Sequence, residues 1–300
     1  MRAQSTQSVP RARIWFLGAR PKTLGAAVAP VVLGTAVAYH LAGDIIWWRA
    51  IAALVVALAL QVGVNYANDY SDGVRGTDRE RAGPLRLTAS GLASPNAVRA
   101  AAAIAFGVAA VVGLVLCIVV EPLLLIVGLA AIAAAVLYTG GPKPYGYLGL
   151  GELAVFVFFG FVATAGSTYV QLERVPAEAW WGSAAVGLLA CALLVVNNVR
   201  DVPTDTVAGK RTLAVRIGDR RARLLYAACI SGAFAAVIAI GTIEPWALLG
   251  LAALPLAPAP VRLVLTRCDP PSLVKALIAT SRLELAVAGL VALGLAISAP

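Results

Sequence analysis

Nine apolar stretches separated by short polar breaks constrain this chain of 300 residues more than any other feature. They lie at about 23–42, 48–70, 97–120, 122–139, 150–170, 177–199, 222–242, 245–265 and 284–299. Most approach the roughly 20 residues an α-helix needs to cross a hydrocarbon core about 30 Å thick. The breaks carry residues that end helices: Gly43-Asp44, Glu121-Pro122, Gly140-Gly141-Pro142, Val175-Pro176, Glu244-Pro245 and Pro270-Pro271. The pattern predicts an all-α integral membrane protein with about nine transmembrane helices, one polytopic domain over 1–300. Composition agrees, with 60% hydrophobic and 13% charged residues, where a soluble domain has about 45–50% and about a quarter. That balance excludes an ordinary soluble enzyme, a disordered chain and a disulfide scaffold.

Nine spans place the chain ends on opposite faces, and the basic residues then choose the orientation. With the N-terminus in the cytoplasm, all but Arg49 and Arg174 of the 24 Lys and Arg residues fall inside. Trp47, Trp48, Trp180, Trp181 and Trp246 fall at outer span ends, as an aromatic belt would. The net charge of +9 therefore reads as a topology signal and an attraction to anionic lipid, with no nucleic-acid partner implied. The polar, basic start of the chain lacks the apolar core of a removable signal peptide.

The four cysteines show no metal-ligand spacing, and His40 is the one histidine. A bound metal must therefore be held by oxygen, which favours Mg²⁺ or Ca²⁺. Asp44, Glu121, Glu173, Glu178 and Glu244 fall singly on the outer side and read as solvated loop charge. The inner side differs. One span ends in Asn65, Asn68, Asp69, Asp72, Arg75 and Asp78; another ends in Asn197, Asn198, Arg200, Asp201, Asp205, Lys210 and Arg211. Asn65, Asp69 and Asp72 recur at helical spacing, as do Asn197, Asp201 and Asp205, so each set shares one face. Pro203 makes the position of Asp205 dependent on whether the helix bends or stops there. Both clusters meet the negative end of a helix dipole. If the faces converge, each like-charge pair at 4 Å costs about 4 kcal/mol at an effective dielectric of 20. Mg²⁺ relieves that repulsion, and it shares its coordination shell with phosphate. Arg75, Arg86, Lys143, Arg200, Lys210 and Arg211 are the cations placed to hold the remaining phosphate oxygens. The plainer alternative is that these residues only terminate spans. Two such clusters on one side, about 132 residues apart, argue against it. They also suggest two related halves, about 20–140 and 148–300, with catalytic loops at about 69–96 and 200–221.

These residues carry a family resemblance. The chain resembles the membrane prenyltransferases of the UbiA superfamily, whose two Asp-rich motifs have the forms NDxxDxxxD and DxxxD. Asn68-Asp69-Tyr70-Ser71-Asp72 matches the start of the first and Asp201-Val202-Pro203-Thr204-Asp205 the second. Gly76 stands where the first motif has its third Asp, with Asp78 two positions on. Longer strings resemble the 1,4-dihydroxy-2-naphthoate prenyltransferase branch in its actinobacterial form. They are ARPKTL (19–24), NYANDYSDGVRGTD (65–78), GPLRLTASG (83–91), LYTGGPKPYGYLGLGELAVFVFFG (137–160) and NNVRDVPTDTVAGKRTLAVRIGD (197–219).

The resemblance implies nine helices around a central cavity in a bacterial inner membrane, the site facing the cytoplasm. It implies transfer from polyprenyl diphosphate to 1,4-dihydroxy-2-naphthoate, with loss of CO₂, giving demethylmenaquinone in menaquinone biosynthesis. Mg²⁺ would be held by Asp69, Asp72, Asp201 and Asp205 with Asn68, and Asp78 is a further candidate ligand. Substrate would meet Asn65, Asn68, Arg75, Arg86, Asn197, Asn198, Arg200, Lys210 and Arg211. Lys143 and Arg20 are either substrate anchors or positive-inside charges. Tyr138, Tyr145 and Tyr147 either face an allylic cation or form an interfacial belt. Glu152 is either an acceptor-handling carboxylate or half of an internal pair with a basic residue. No obligate protein partner is implied. The rivals are another aromatic acceptor, such as 4-hydroxybenzoate or homogentisate, and a secondary transporter. Transporter sites, however, lie near the bilayer midplane.

Overall fold

Every apolar run winds into helix, the conformation that satisfies its backbone internally where lipid offers no hydrogen bonds. The computed structural model describes residues 10–76 and 85–300; Asp78 lies outside them. A short helix, α1 (Arg11–Gly18), leads through a 3₁₀ turn at Pro21–Thr23 into α2 (Gly25–Ala42). Then follow α3 (Trp47–Arg75), α4 (Pro95–Val119), α5 (Leu124–Leu137), a 3₁₀ turn at Tyr145–Leu148 and α6 (Gly151–Leu172). The second part holds α7 (Ala177–Val207), the short α8 (Leu213–Ile217), α9 (Asp219–Gly241), a 3₁₀ helix Pro245–Leu256, α10 (Pro258–Thr266) and α11 (Pro270–Ile297). No strand occurs among the described residues.

Seven of these helices are long and apolar enough to cross a membrane, and Pro245–Leu256 with α10, bent by 43°, makes an eighth if taken as one span. Helix α5, the counterpart of the run at 122–139, has 14 residues, about 21 Å of helix. Caps set several starts. Ser94 accepts from the Ala97 amide and Asp269 from the Ser272 amide, each followed by a proline at the first helical position. The Ser272 amide holds the Asp269 carboxyl below its ordinary range. Helix α11 therefore begins well before the apolar run at 284–299, and Glu284 sits mid-helix, fully buried, instead of at a span end.

Helix α7 is central, packing on α2, α6, α9 and α11. The main core joins Leu33 and Val37 of α2 to Val186, Leu189 and Val196 of α7, Tyr226 and Ile240 of α9, and Leu283 and Val291 of α11. A second cluster, Tyr66, Leu87, Val98 and Ala102, fastens α3 and α4 to the 85–90 turn. The five tryptophans expected in the outer belt are all exposed. The outer carboxylates are less uniform than solvated loop charge. Glu178 is buried in the first turn of α7, and Glu244 faces His40 at 3.6 Å, where His40 also meets Ser298 at 3.0 Å.

Helix α6 winds as a π-helix over Phe156–Ala165 where it crosses α7. A Cβ on Gly160 would lie 2.7 Å from the Ser183 carbonyl oxygen and 2.9 Å from the Gly187 Cα, and one on Gly187 would lie 3.0 Å from the Gly160 Cα. The neighbours are backbone and cannot turn aside. Gly160→Val or Gly187→Val should therefore lower the thermal midpoint of the detergent-solubilised protein by several degrees. Gly107→Ala, where nothing lies within 4 Å, should leave it unchanged or raise it.

Candidate active site

Helix α3 is apolar over its first turns and then turns polar towards its C-terminal end without losing helical register. Asn65, Asp69 and Asp72 are all buried on one face, as their spacing predicts. Asp69 is held by main chain: Oδ2 accepts from the Leu87 amide at 2.7 Å and Oδ1 from the Thr88 amide at 2.9 Å. Asp72 is the meeting point of four segments. The Tyr147 hydroxyl donates to its Oδ1 at 2.7 Å, while Lys210 Nζ and Arg86 Nη2 approach Oδ2 at 3.7 and 3.8 Å. The Lys210 contact ties the end of α3 to the segment that follows Asp201 and Asp205.

The surrounding residues position this junction. Asn65 donates to the Ala19 carbonyl at 2.9 Å and tethers the Arg20 segment. Asn68 Oδ1 accepts from the Thr139 hydroxyl at 2.8 Å. Arg75 donates to the carbonyls of Thr139 and Gly141, and its guanidinium carbon lies 5.5 Å from the Tyr147 ring centre, with Lys210 Nζ at 5.0 Å. Both are within cation–π range.

On α7, Arg200 grips Asp201 through Nε and Nη2, both at 2.8 Å, and Nη2 also reaches Asn197 Oδ1 at 2.8 Å. Pro203 does not end the helix, which continues to Val207. Its buried polar face is Asn198, Asp201 and Asp205, with Asn197 half-exposed at its edge. The Asp205 carbonyl accepts from the Lys210 amide at 2.8 Å, and Gly209 supplies the positive φ of 71° that this reversal requires. That turn sends Lys210 back to Asp72.

Other expected residues divide. Arg20 adopts a left-handed φ of 55°, and its Nε and Nη2 are buried without a hydrogen-bond partner, a donor pair that suits an anion. Tyr138 and Tyr145 stack edge to face at 5.5 Å. Tyr145 donates to the Ala134 carbonyl at 2.9 Å, and burial pushes its hydroxyl up to about 12. They build the α5–α6 corner, and Tyr147 is the tyrosine that reaches Asp72. Lys143 and Arg211 are exposed and are not drawn into the junction. Sequence reasoning missed the Leu87 and Thr88 amides and the Thr139 hydroxyl. Amides carry no residue signature, but GPLRLTASG pointed to that turn.

The four carboxylates do not close on one point: among the described residues no three His, Cys, Asp or Glu side chains gather as a metal cage. The donor chemistry still fits Mg²⁺. Carboxylate and amide oxygens line both helix ends, each Asp69 oxygen keeps a further lone pair, and Mg²⁺ ordinarily takes only one or two carboxylates beside phosphate oxygens and water. Removing the Asp69 carboxylate should loosen the turn it holds. Hydrogen bonds to a charged group contribute about 1.5–3 kcal/mol each, so amide exchange at Leu87 and Thr88 should quicken at least tenfold in Asp69→Ala, measured by mass spectrometry.

The sequence and the fold of the chain have known counterparts. The UbiA prenyltransferase family profile matches residues 27–296. A 1,4-dihydroxy-2-naphthoate octaprenyltransferase of Mycobacterium tuberculosis is 53% identical over 246 residues, covering 81% of this chain and 83% of that protein. One from Escherichia coli is 36% identical, covering 88% and 89%. In fold, a UbiA homolog from Archaeoglobus fulgidus bound to GPP and Mg²⁺ superposes with a TM-score of 0.59 at 14% identity, covering 93% of this chain and 99% of that one. An apo UbiA homolog from Aeropyrum pernix K1 gives 0.62 at 17%, covering 96% and 98%.

Proposed function

The chain belongs to the UbiA prenyltransferase family, and we propose that it transfers a polyprenyl group from polyprenyl diphosphate to 1,4-dihydroxy-2-naphthoate, releasing diphosphate and CO₂ for menaquinone synthesis. The observation that carries this reading is identity of 53% across four fifths of the chain to a protein named for that reaction. The polar junction at Asp72 supports it independently, because it combines the carboxylates and cations that a diphosphate leaving group needs.

The chain's own residues divide the work. Lys210 and Arg86, already within 4 Å of Asp72, bind the diphosphate oxygens and stabilise the charge that grows there as the C–O bond breaks. Arg20 contributes its unpartnered donors. Tyr147, oriented by its bond to Asp72, presents its ring to the allylic cation. Arg200 holds the Asp201 carboxylate in place through two hydrogen bonds. Asp69, Asp72, Asp201 and Asp205, with Asn68, are the residues from which Mg²⁺ would take its one or two carboxylates, and when bound it would supply Lewis-acid neutralisation of the leaving group. The naphthoate ring attacks at the carbon bearing the carboxylate, and prenyl replaces CO₂. No electrons leave the ring, so the immediate product is the quinol. Demethylmenaquinone itself requires a separate oxidation.

The same reading places the N-terminus and the site on the cytoplasmic face of a bacterial inner membrane, with nine spans counting α5 and the bent pair. The apolar donor then enters from the bilayer and the acceptor from the cytoplasm.

Purified protein in nanodiscs, given Mg²⁺, a polyprenyl diphosphate and either acceptor, should prenylate dihydroxynaphthoate and not 4-hydroxybenzoate; the reverse preference would overturn the acceptor assignment. EDTA should abolish diphosphate release, and excess Mg²⁺ should restore it. Asp72→Asn should lower kcat about 10²–10³-fold while the protein still elutes as a folded species.

A further inference from the structure

The interior beside the site holds carboxylate oxygens that nothing among the described residues satisfies. Glu152, in the first turn of α6, is 8% exposed. Its Oε1 accepts from Asn198 Nδ2 at 2.9 Å, and its Oε2 is buried without a partner. An internal pair with a basic residue, one of the two readings of its sequence position, is not found; its partner is an amide. The titratable groups around it are Cys191 of α7, whose thiol donates to the Glu152 carbonyl at 3.2 Å, Cys229 of α9, and Glu284 of α11, which also neighbours Cys191. Glu284 is fully buried, and both its oxygens also lack partners. Buried polar atoms in lipid-embedded helices are costly and mark function.

Position gives the Glu152 oxygen a use. Asn198 lies three residues before Asp201, about 4.5 Å further into the membrane, on the same buried face of α7. Glu152 therefore stands one helical turn inside the diphosphate site, at the depth where the ionising carbon and the acceptor ring must meet. A carboxylate there repels the acceptor's own carboxylate towards the cations at Asp72 and welcomes a hydroxyl donor.

Resting on the dihydroxynaphthoate reading above, we propose that Glu152 Oε2 binds the ring hydroxyl next to the prenylated carbon and acts as the proton acceptor of the transfer. The prenyl C–O bond breaks, its electron pair leaving with diphosphate, as the ring carbon forms the new C–C bond. The hydroxyl O–H pair collapses into a carbonyl, and the proton moves to Oε2. The C–CO₂ bond then breaks, its electrons re-form the ring enolate, and the oxygen takes the proton back. The proton is borrowed and returned, and no oxidant is needed. Asn198 is a positioning residue, fixing Oε1 so that Oε2 faces the acceptor.

The test compares wild type with Glu152→Gln, Glu152→Asp and Glu152→Leu in nanodiscs. Glu152→Gln should lower kcat about 10²-fold or more, with partial recovery in Glu152→Asp, while Mg²⁺-dependent binding of geranyl thiodiphosphate stays within about twofold. In equilibrium titrations wild type should bind 1,4-dihydroxy-2-naphthoate about tenfold or more tighter than 2-naphthoate, about 1.4 kcal/mol. Glu152→Leu should lose that preference. Full kcat in Glu152→Gln, or a retained hydroxyl preference in Glu152→Leu, overturns the proposal. So does loss of donor binding together with turnover, which marks a structural role. Failure of wild type to prenylate dihydroxynaphthoate at all would instead overturn the acceptor reading.

Discussion

A carboxylate at the end of a membrane helix must be compensated, and in this protein the loops at the polar end of the bundle are arranged around that need. Asp69, Asp72 and Asp201 stand at the negative ends of two helix dipoles, each with at most a few per cent of its surface exposed. Three kinds of donor answer them: main-chain amides at Asp69, a guanidinium fork at Asp201, and a hydroxyl with two cations at Asp72. Because the donors come from the 85–90 turn, the α5–α6 loop and the segment after α7, charge compensation also folds the loops into place.

That economy explains how a site for a highly charged leaving group can exist in a chain so poor in charge. Arg86 and Lys210 face Asp72 from 3.7–3.8 Å, near enough to stabilise it and long enough to re-aim at another anion. Arg200, by contrast, is locked bidentately on its neighbour, and breaking a buried pair of that kind costs about 3–5 kcal/mol. The site thus combines one bidentate ion pair with two cations that face Asp72 at longer range.

Much of this was legible in the sequence. The apolar runs forecast the helices, and the i, i+4, i+7 spacing put Asn65, Asp69 and Asp72 on one buried face. The pairing of two polar clusters pointed to the junction that Lys210 makes with Asp72. What escaped depended on contacts made across the fold. The buried stripe of α7 runs through Asn198 instead of Asn197, because α6 packs on that side and Glu152 takes the amide. Helix α11 starts at Pro270 because Asp269 caps it, a signal weaker than hydropathy. Tyr145 and Tyr147 look equivalent in sequence, yet one is spent on the Ala134 carbonyl and the other on Asp72. Four carboxylates at regular spacing suggested a cage, whereas the amides of Leu87 and Thr88 turn Asp69 to holding a loop.

The central claim is that the ends of α3 and α7, with the loops they draw in, form a single diphosphate site. A cryo-EM structure of the protein in nanodiscs with Mg²⁺ and geranyl thiodiphosphate tests it most directly. The account predicts diphosphate density between Asp72 and Asp201, with Lys210 and Arg86 swung onto its oxygens. Density bound elsewhere, or against only one helix end while Lys210 stays on Asp72, would contradict it.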